Sequence, residues 1–136
     1  MIVAPVKSGA GQRVLLVEDD PAISDLMQTV LRELGLTVEA ANTGAKALEM
    51  ARHEPPALAI LDLGLPEMYG KTVAQRLKSE QPDLPVLVVS ALSSSTVAQD
   101  AWEMGAYSYV TKPFELDAFT AAVKRGLSRA KRRATA

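Results

Sequence analysis

Short apolar runs and longer segments of helical periodicity alternate along the whole chain. The short runs, which have the length and the β-branched content of strands, are RVLLV (13–17), LTVEAA (36–41), ALAIL (57–61), PVLVVS (85–90) and YSYVT (107–111). Between and after them lie segments with apolar residues three and four positions apart, the pattern of an amphipathic helix, at 21–35, 43–54, 71–80, 95–105 and 115–133. The pattern therefore predicts five strand–helix units.

This alternation predicts the fold class. Strands that alternate strictly with helices of this length form a parallel sheet with crossover connections. The first, third and fourth strands are apolar on both faces, as at the buried centre of a sheet, whereas the second and fifth carry polar residues and are typical of edges. We therefore predict an α/β fold of one domain: a doubly wound, flavodoxin-like (βα)5 sheet in the order 2-1-3-4-5.

Length and composition agree with one ordinary globular domain. The chain has 136 residues, 48% of them hydrophobic, and its apolar runs are too short to span a bilayer. It contains no cysteine and a single histidine, His53, which excludes disulfides, thiol catalysis and paired-histidine metal sites. Residues 1–12 lack the features of a secretory signal and are interpreted as a flexible leader. We expect a cytoplasmic protein that does not associate with a membrane.

The charges are distributed unevenly. All 16 acidic residues lie at or before Asp117, and residues 1–123 carry 9 basic groups against them, a net charge of −7. An acidic body argues against direct nucleic acid binding by this domain. The basic residues concentrate after position 123, and we interpret residues 130–136 as a basic tail, either a solvated helix end or the stub of a linker.

Polar residues follow four of the predicted strands, where the carboxyl ends of parallel strands meet at one edge of the sheet. They are Glu18, Asp19 and Asp20 after the first strand, Asp62 after the third, Ser90 and Ala91 at the fourth, and Thr111, Lys112 and Pro113 at the fifth. Carboxylates placed this closely need a cation to ionise together. Oxygen ligands of this kind suit Mg²⁺, and a lysine adds a counter-charge for an anionic group such as a phosphoryl oxygen.

Several of these residues also have a structural interpretation. Asp20 directly precedes Pro21 and is expected to be a helix N-cap. We expect His53 to be a solvated residue at a helix end and Trp102 to serve packing. It is the joint pattern at four strand ends that points to a functional site.

The sequence resembles the receiver domains of bacterial two-component response regulators, in particular the chemotaxis-regulator type. The matching segments are VLLVEDDP, LAILDLGLPEMYG, PVLVVSA and GAYSYVTKPF, in the family's order and spacing, and the resemblance covers residues 13–129. It implies a phosphoprotein of a phosphorelay. A sensor histidine kinase or a histidine phosphotransfer protein would be the phosphoryl donor, and the family's domain is a switch rather than an enzyme in its own right.

The resemblance implies roles for the acidic residues. Asp62 would be the phosphoacceptor, in a reaction that depends on Mg²⁺, with Mn²⁺ as a substitute. Asp19, Asp62 and the backbone carbonyl of Gly64 would bind the metal, and Glu18 would act through water.

It also implies a set of residues that bind the phosphoryl group or respond to it. Ser90 stands at the switch hydroxyl position with Ala91 beside it, Lys112 at the position of the family's lysine, and Tyr109 at the switch aromatic position. The peptide bond between Lys112 and Pro113 would be cis. Phosphorylation would draw Ser90 toward the acyl phosphate, turn Tyr109 inward and remodel the surface of helix 4, strand 5 and helix 5.

Some positions depart from the family's pattern. Tyr69 stands where aspartate is common. Gly64 and Leu92 occupy the positions whose side chains tune phosphoryl loss; glycine offers no group to orient a water molecule, so we predict slow autodephosphorylation. GAYSYVTKPF lacks the GADDY wording of many winged-helix transcription regulators, which weakens the expectation of a phosphorylation-dependent dimer through helix 4, strand 5 and helix 5.

Other functions were weighed against this one. A flavodoxin-like cofactor binder requires a phosphate cradle after strand 1, where EDDP would repel phosphate. A phosphohydrolase of the haloacid dehalogenase type requires a second acid two residues after its nucleophile, where this chain has Gly64; it is the remote enzyme alternative. A pseudo-receiver would lack site residues that are all present here. Within the family, the chain is either a single-domain regulator or the excised receiver of a longer transcription or output-enzyme regulator.

Overall fold

The computed structural model describes the backbone of residues 12–65, 70–91 and 95–135, and their side chains except those of residues 95–98 and 131–135. Most of the predicted leader, together with Tyr69 and Leu92, lies outside the described residues. The strands are β1 (Arg13–Val17), β2 (Thr37–Ala41), β3 (Leu58–Leu61), β4 (Val86–Ser90) and β5 (Ser108–Thr111). The helices are α1 (Pro21–Glu33), α2 (Gly44–His53), α3 (Gly70–Glu80), α4 (Ser95–Glu103) and α5 (Leu116–Thr135).

The five strands form one parallel sheet in the order β2-β1-β3-β4-β5. This confirms the predicted fold class, the strand order and the assignment of β2 and β5 to the edges. The register between β1 and β3 sets Val17 beside Leu61, so the residues that follow these strands emerge side by side. The chain reverses its direction across the sheet between β1 and β3, which is where ligands bind in doubly wound sheets.

The core consists of two layers, one on each face of the sheet. Successive strand residues point to opposite faces, so Leu15 and Leu61 pack with α2, α3 and α4, whereas Leu16 and Ile60 pack with α1 and α5. All residues of β3 and β4 are buried, in keeping with strands covered on both sides. This sandwich fixes the strand ends from which the polar residues project.

Helix α1 begins and ends where the sequence predicts. Asp20 is its N-cap and Pro21 its first residue, and Gly35 follows with a φ of 84°, a left-handed conformation that glycine adopts without strain. The Asp20 side chain accepts hydrogen bonds from the backbone amides of Ala22 (2.9 Å) and Ile23 (3.2 Å). The role of Asp20 as a cap is therefore confirmed.

Helix α5 continues through the segment interpreted as a basic tail and ends at Thr135. The boundary of the domain at residue 129 stays a prediction. His53 is exposed as the last residue of α2, as expected. Among the described residues, no helix combines the length and the apolar character needed to cross a membrane.

Candidate functional site

The carboxyl edge of the sheet brings three acidic side chains together. Glu18 and Asp19 follow β1, and Asp62 follows β3; the Asp62 amide donates a hydrogen bond to the carbonyl of Val17 (3.0 Å), which extends the pairing of the two strands by one residue. One carboxylate oxygen from each of the three acids lies within 4.8 Å of the others. The predicted convergence of these residues is thus present.

The three acids differ in exposure. Glu18 is 2% exposed and Asp62 9% exposed, whereas Asp19 is open to solvent. The Glu18 carboxylate accepts a hydrogen bond from the Asp20 amide (3.1 Å), which holds it beneath the surface. An incoming molecule therefore meets Asp19 and the edge of Asp62 first, with Glu18 behind them.

Lys112, which follows β5, supplies the counter-charge from across the sheet. Its amide donates to the carbonyl of Ser90 (2.7 Å), so the backbone aims the residue at the acidic edge. Its Nζ lies 2.6 Å from Oε1 of Glu18 and 3.3 Å from Oδ2 of Asp62. One mostly buried lysine therefore contacts two of the three acids at once.

Burial and these contacts act in opposite directions on the charges. Desolvation raises the pKa of Glu18 above its ordinary value, and the charge of Asp62 adds to this, although the hydrogen bond from Lys112 opposes it. Burial alone would lower the pKa of Lys112, but its hydrogen bond to Glu18 and the charge of Asp62 outweigh it, so the pKa of Lys112 is raised. The lysine stays cationic, and the site as a whole still holds more negative than positive charge.

The backbone after β3 is packed closely around Asp62. The Gly64 amide donates a hydrogen bond to Oδ1 of Asp62 (3.1 Å). At Gly70, the first residue of α3, a Cβ atom would lie 2.5 Å from the carbonyl oxygen of Asp62 and 2.6 Å from Cα of Leu63. Position 70 therefore excludes any side chain, and this close approach fixes where the Asp62 loop turns.

The remaining residues from the sequence analysis lie around this centre. Ser90 is 2% exposed at the end of β4, and Ala91 beside it is exposed. The peptide bond between Lys112 and Pro113 is cis. Tyr109 is 43% exposed on the edge strand β5, where it lies opposite Val88 of β4.

Sequence reasoning did not single out two residues of a cleft that adjoins the site. A cleft of about 400 Å³ opens beside Glu18 and Asp19 and includes Asn42 and Lys46 in its wall. Lys46 donates a hydrogen bond from Nζ to Oδ1 of Asn42 (3.2 Å). Asn42 directly follows β2, the strand next to β1, so inspecting the residues after every strand, the edge strands included, would have found it. Lys46 lies four residues further on, in α2.

The expectation that Trp102 serves packing is wrong. Trp102 is 81% exposed on α4, because the helix turns its neighbours Ala101 and Met104 toward the sheet instead. Helical periodicity cannot distinguish these positions when apolar residues are adjacent in sequence.

The donor set fits a hard divalent cation. Three carboxylates within 4.8 Å of one another repel unless a cation joins them, and Lys112 reaches only Glu18 and Asp62. Asp19 is exposed to solvent. Oxygen ligands with an open side toward solvent suit Mg²⁺, which keeps several water ligands in protein sites.

The sequence also matches a known family over most of its length. The family model described as "Response regulator receiver domain" matches residues 14–124. The chain belongs to this family. Receiver domains of response regulators are phosphoacceptor switches in two-component signalling and bind Mg²⁺ in an acidic pocket, and this chain carries an acidic group formed by Glu18, Asp19 and Asp62.

Individual relatives agree. The chain is 39% identical over 122 residues to the DNA-binding dual master transcriptional regulator RpaA of Synechocystis, covering 88% of this chain and 51% of that protein. It is 40% identical over 116 residues to the transcriptional regulatory protein KdpE of Mycobacterium tuberculosis, covering 85% and 51%. The chain thus spans about half the length of these relatives.

A solved structure shows the same architecture. The CheY-like response regulator receiver domain protein of Methanospirillum hungatei superimposes with a TM-score of 0.85 at 27% identity, covering 91% of this chain and 99% of that one. The haloacid dehalogenase alternative finds no support in these similarities.

Proposed function

We propose that this receiver takes a phosphoryl group onto Asp62 from a phosphohistidine of a sensor histidine kinase or of a histidine phosphotransfer protein. The observation that carries the proposal is the geometry around Asp62, with two further acids within 4.8 Å and Lys112 Nζ at 3.3 Å. Asp62 is the only one of the three acids that contacts both the lysine and the Gly64 amide.

In the reaction, an Asp62 carboxylate oxygen attacks the phosphorus atom. The new O–P bond forms as the N–P bond of the phosphohistidine breaks, and the imidazole nitrogen keeps the electron pair. Little covalent chemistry is asked of the protein, because phosphoryl transfer depends mainly on position and on neutralised charge. The Gly64 amide fixes one Asp62 oxygen and orients the carboxylate toward the open side of the site.

Mg²⁺, or Mn²⁺ in its place, would be held by Asp19, Asp62 and the backbone carbonyl of Gly64, with Glu18 acting through water, and would offset the charge on the phosphoryl oxygens. Lys112 has a raised pKa and therefore stays charged through the neutral range. It supplies a second positive charge. Its ammonium group contacts the Asp62 carboxylate before the transfer and would contact the phosphoryl group once that group has arrived.

The switch would proceed from Ser90 to the α4–β5–α5 surface. Ser90 lies at the end of β4, and its carbonyl accepts the Lys112 amide, so β4 and β5 are joined where the phosphoryl group arrives. Ser90 and Ala91 would contact that group, and Tyr109, now 43% exposed, would turn inward. Since phosphorylation favours one of two existing conformations, its effect is a population shift.

The output remains open between two arrangements. The relatives that match over about half their length are regulators named as DNA-binding or transcriptional, which favours a fused output domain. A free-standing receiver that docks on a target protein is the other arrangement, and a phosphorylation-dependent dimer through α4, β5 and α5 would serve the first. Direct nucleic acid binding by the receiver itself is disfavoured by its acidic body.

The proposal is tested by the dependence of phosphorylation on the metal and on Asp19. Phosphoramidate, which carries an N–P bond, is added to the protein with Mg²⁺ or with a chelator, and the phosphorylated fraction is followed with time. We expect phosphorylation with Mg²⁺ only, and a marked slowing in Asp19→Asn. The variant Asp25→Asn, at an exposed acid on the rim of the neighbouring cleft, is the matched control. Equal rates with Mg²⁺ and with chelator would contradict the proposal.

A further inference from the structure

One lysine of α3 joins that helix to α4. Nζ of Lys71 lies 3.2 Å from Oε1 of Glu103 and 3.9 Å from Oδ1 of Asp100. The Glu103 carboxylate also accepts a hydrogen bond from Nε2 of Gln99 (3.3 Å), and its pKa is lowered, mainly by the hydrogen bond from Lys71. We call the two ion pairs of Lys71 the α3–α4 clasp.

The α3 end of the clasp is fixed to the loop that carries Asp62. Lys71 directly follows Gly70, whose amide donates a hydrogen bond to the carbonyl of Leu63 (3.1 Å). Because Gly70 has no side chain, its backbone packs against the Asp62 carbonyl; a Cβ there would lie 2.5 Å from that oxygen. The backbone of Lys71 is therefore held one residue away from a close contact with the candidate phosphoacceptor.

The α4 end of the clasp carries charges that this helix does not balance by itself. Asp100 and Glu103 are three residues apart, so their carboxylates are neighbours on the helix surface and repel each other. Glu103 is also the last residue of α4, where the partial negative charge of the helix end disfavours an acid. The last turn of α4 contains no basic residue. The charge of Lys71 offsets both effects from outside the helix.

Apolar packing anchors this end of α4 through small or flexible side chains. Within residues 99–104, the buried residues are Ala101 and Met104. Trp102, the largest apolar side chain of the helix, is 81% exposed and contributes little buried area. The clasp therefore accounts for a substantial part of what holds α4 against α3.

We propose that Lys71 is a positioning residue, which ties α4 to the Asp62 loop and holds this helix in the conformation in which Tyr109 is exposed. The effect on phosphorylation rests on the proposed function, in which the phosphoryl group favours a conformation with Tyr109 turned inward and α4 remodelled. Moving α4 strains the clasp. The clasp thus sets the fraction of unphosphorylated protein that has the conformation favoured by phosphorylation.

The exposure of the three side chains sets the size of the effect. Lys71, Asp100 and Glu103 have side chains that are 41%, 38% and 47% exposed, and exposed ion pairs contribute modestly to stability. Two such pairs correspond to a change of about two- to tenfold in an equilibrium between two conformations.

The first test is hydrogen exchange of the unphosphorylated protein, followed by mass spectrometry of a peptide that contains α4. Lys71→Met keeps the aliphatic stem and removes the charge, and we expect the α4 amides to exchange about two- to tenfold faster than in the wild type. Lys71→Arg keeps the charge and should retain wild-type exchange. The matched control is Arg52→Met, which removes the cation of an exposed ion pair between α2 and α3, 3.0 Å from Glu80. Equal α4 exchange in Lys71→Met and Arg52→Met would overturn the proposal.

A second background shows whether the effect passes through the acids of α4. In the double variant D100N/E103Q the clasp has no acidic partner, so adding K71M should change α4 exchange no further. If K71M accelerates exchange as much in D100N/E103Q as in the wild type, Lys71 does not act through the clasp and the proposal is overturned.

The rate of phosphorylation by phosphoramidate with Mg²⁺ is then measured on the same variants. We expect Lys71→Met to be phosphorylated about two- to tenfold faster than the wild type, and Arg52→Met at the wild-type rate. An equal or lower rate in Lys71→Met would overturn the control of phosphorylation by the clasp.

The two proposals fail separately, because exchange is measured before phosphorylation. Faster α4 exchange in Lys71→Met, in a protein that accepts no phosphoryl group, would uphold the clasp and contradict the phosphoacceptor role of Asp62. Phosphorylation on Asp62 with unchanged α4 exchange in Lys71→Met would do the reverse.

Discussion

Replacing Lys112 by methionine tests the electrostatics of the site. The substitution keeps most of the aliphatic chain and removes the positive charge that contacts both Glu18 (2.6 Å) and Asp62 (3.3 Å). Two carboxylates, 2% and 9% exposed, are then left facing each other without a cation. We expect a lower free energy of unfolding in metal-free buffer near neutral pH, and much slower phosphorylation.

The size of the effect follows from the distances. Two unit charges within 4.8 Å of each other repel by about 3 kcal/mol or more at an effective dielectric constant of about 20. Removing one partner of a buried ion pair typically costs about 3–5 kcal/mol. Because the exposed side of the site admits water, we expect a loss of about 2–3 kcal/mol of stability, at or below the lower limit of both values.

The loss should depend on pH and on Mg²⁺. Burial raises the pKa of Glu18 above its ordinary value of 4.5, so the folded protein binds a proton more readily than the unfolded chain. Its stability therefore increases as the pH falls from neutral toward 4.5. In Lys112→Met this increase should be larger than in the wild type, since no lysine opposes the shift. Added Mg²⁺ should restore part of the stability by supplying the missing positive charge.

The assay is urea unfolding followed by circular dichroism at neutral and at mildly acidic pH, with chelator and with Mg²⁺. Lys46→Met is the matched control, since it removes a lysine from the rim of the neighbouring cleft without touching either acid. If Lys112→Met unfolds at the same urea concentration as Lys46→Met and is phosphorylated at the same rate, the electrostatic reasoning is refuted.

Three further predictions concern single positions. Tyr107 donates a hydrogen bond to the carbonyl of Ala122 (2.6 Å), and its pKa is raised by burial. The wild type should therefore lose stability as the pH rises above 10, the ordinary pKa of tyrosine. In urea unfolding at alkaline pH, the free energy of unfolding of Tyr107→Phe should fall less steeply with pH. The same dependence on pH in both proteins would contradict this. Gly70→Ala places a Cβ 2.5 Å from the Asp62 carbonyl oxygen, so it should destabilise the fold although alanine favours helices. The control Gly64→Ala, with its Cβ 3.8 Å from Oδ1 of Asp62, should not. Equal urea unfolding midpoints for the two variants would argue against a tight turn. The phosphoryl group should persist well beyond seconds in Mg²⁺ buffer and be lost faster in Gly64→Asn, whose amide can orient water; loss within seconds in the wild type would contradict the lifetime predicted from glycine.

The sequence predicted the fold and the location of the site because both depend on where the strands lie and on which residues follow them. Apolar runs identify the strands, and parallel strands bring their carboxyl ends to one edge, so Glu18, Asp19, Asp62 and Lys112 had to converge once the strand order was right. The order itself followed from polarity, since β2 and β5 have polar residues within the strand, whereas β1 and β4 have one only at an end, Arg13 and Ser90.

Other features needed three-dimensional contacts. Trp102 lies beside Ala101 in sequence, and only the rotation of α4 against the sheet decides that alanine is buried and tryptophan exposed. Lys112 Nζ lies 2.6 Å from Glu18 and 3.3 Å from Asp62, and its side chain reaches both acids from the edge strand of the sheet. Distances of this kind depend on how helices pack, which periodicity does not specify.

The central claim is that Asp62 carries the phosphoryl group. Its most direct test is the intact mass of the protein after incubation with a small phosphodonor and Mg²⁺, followed by peptide mapping, for the wild type and for Asp62→Ala. The account predicts one added phosphoryl group in the wild type, located on the peptide that contains Asp62, and none in the variant. An unmodified wild type, or a modification that survives in Asp62→Ala, would contradict it.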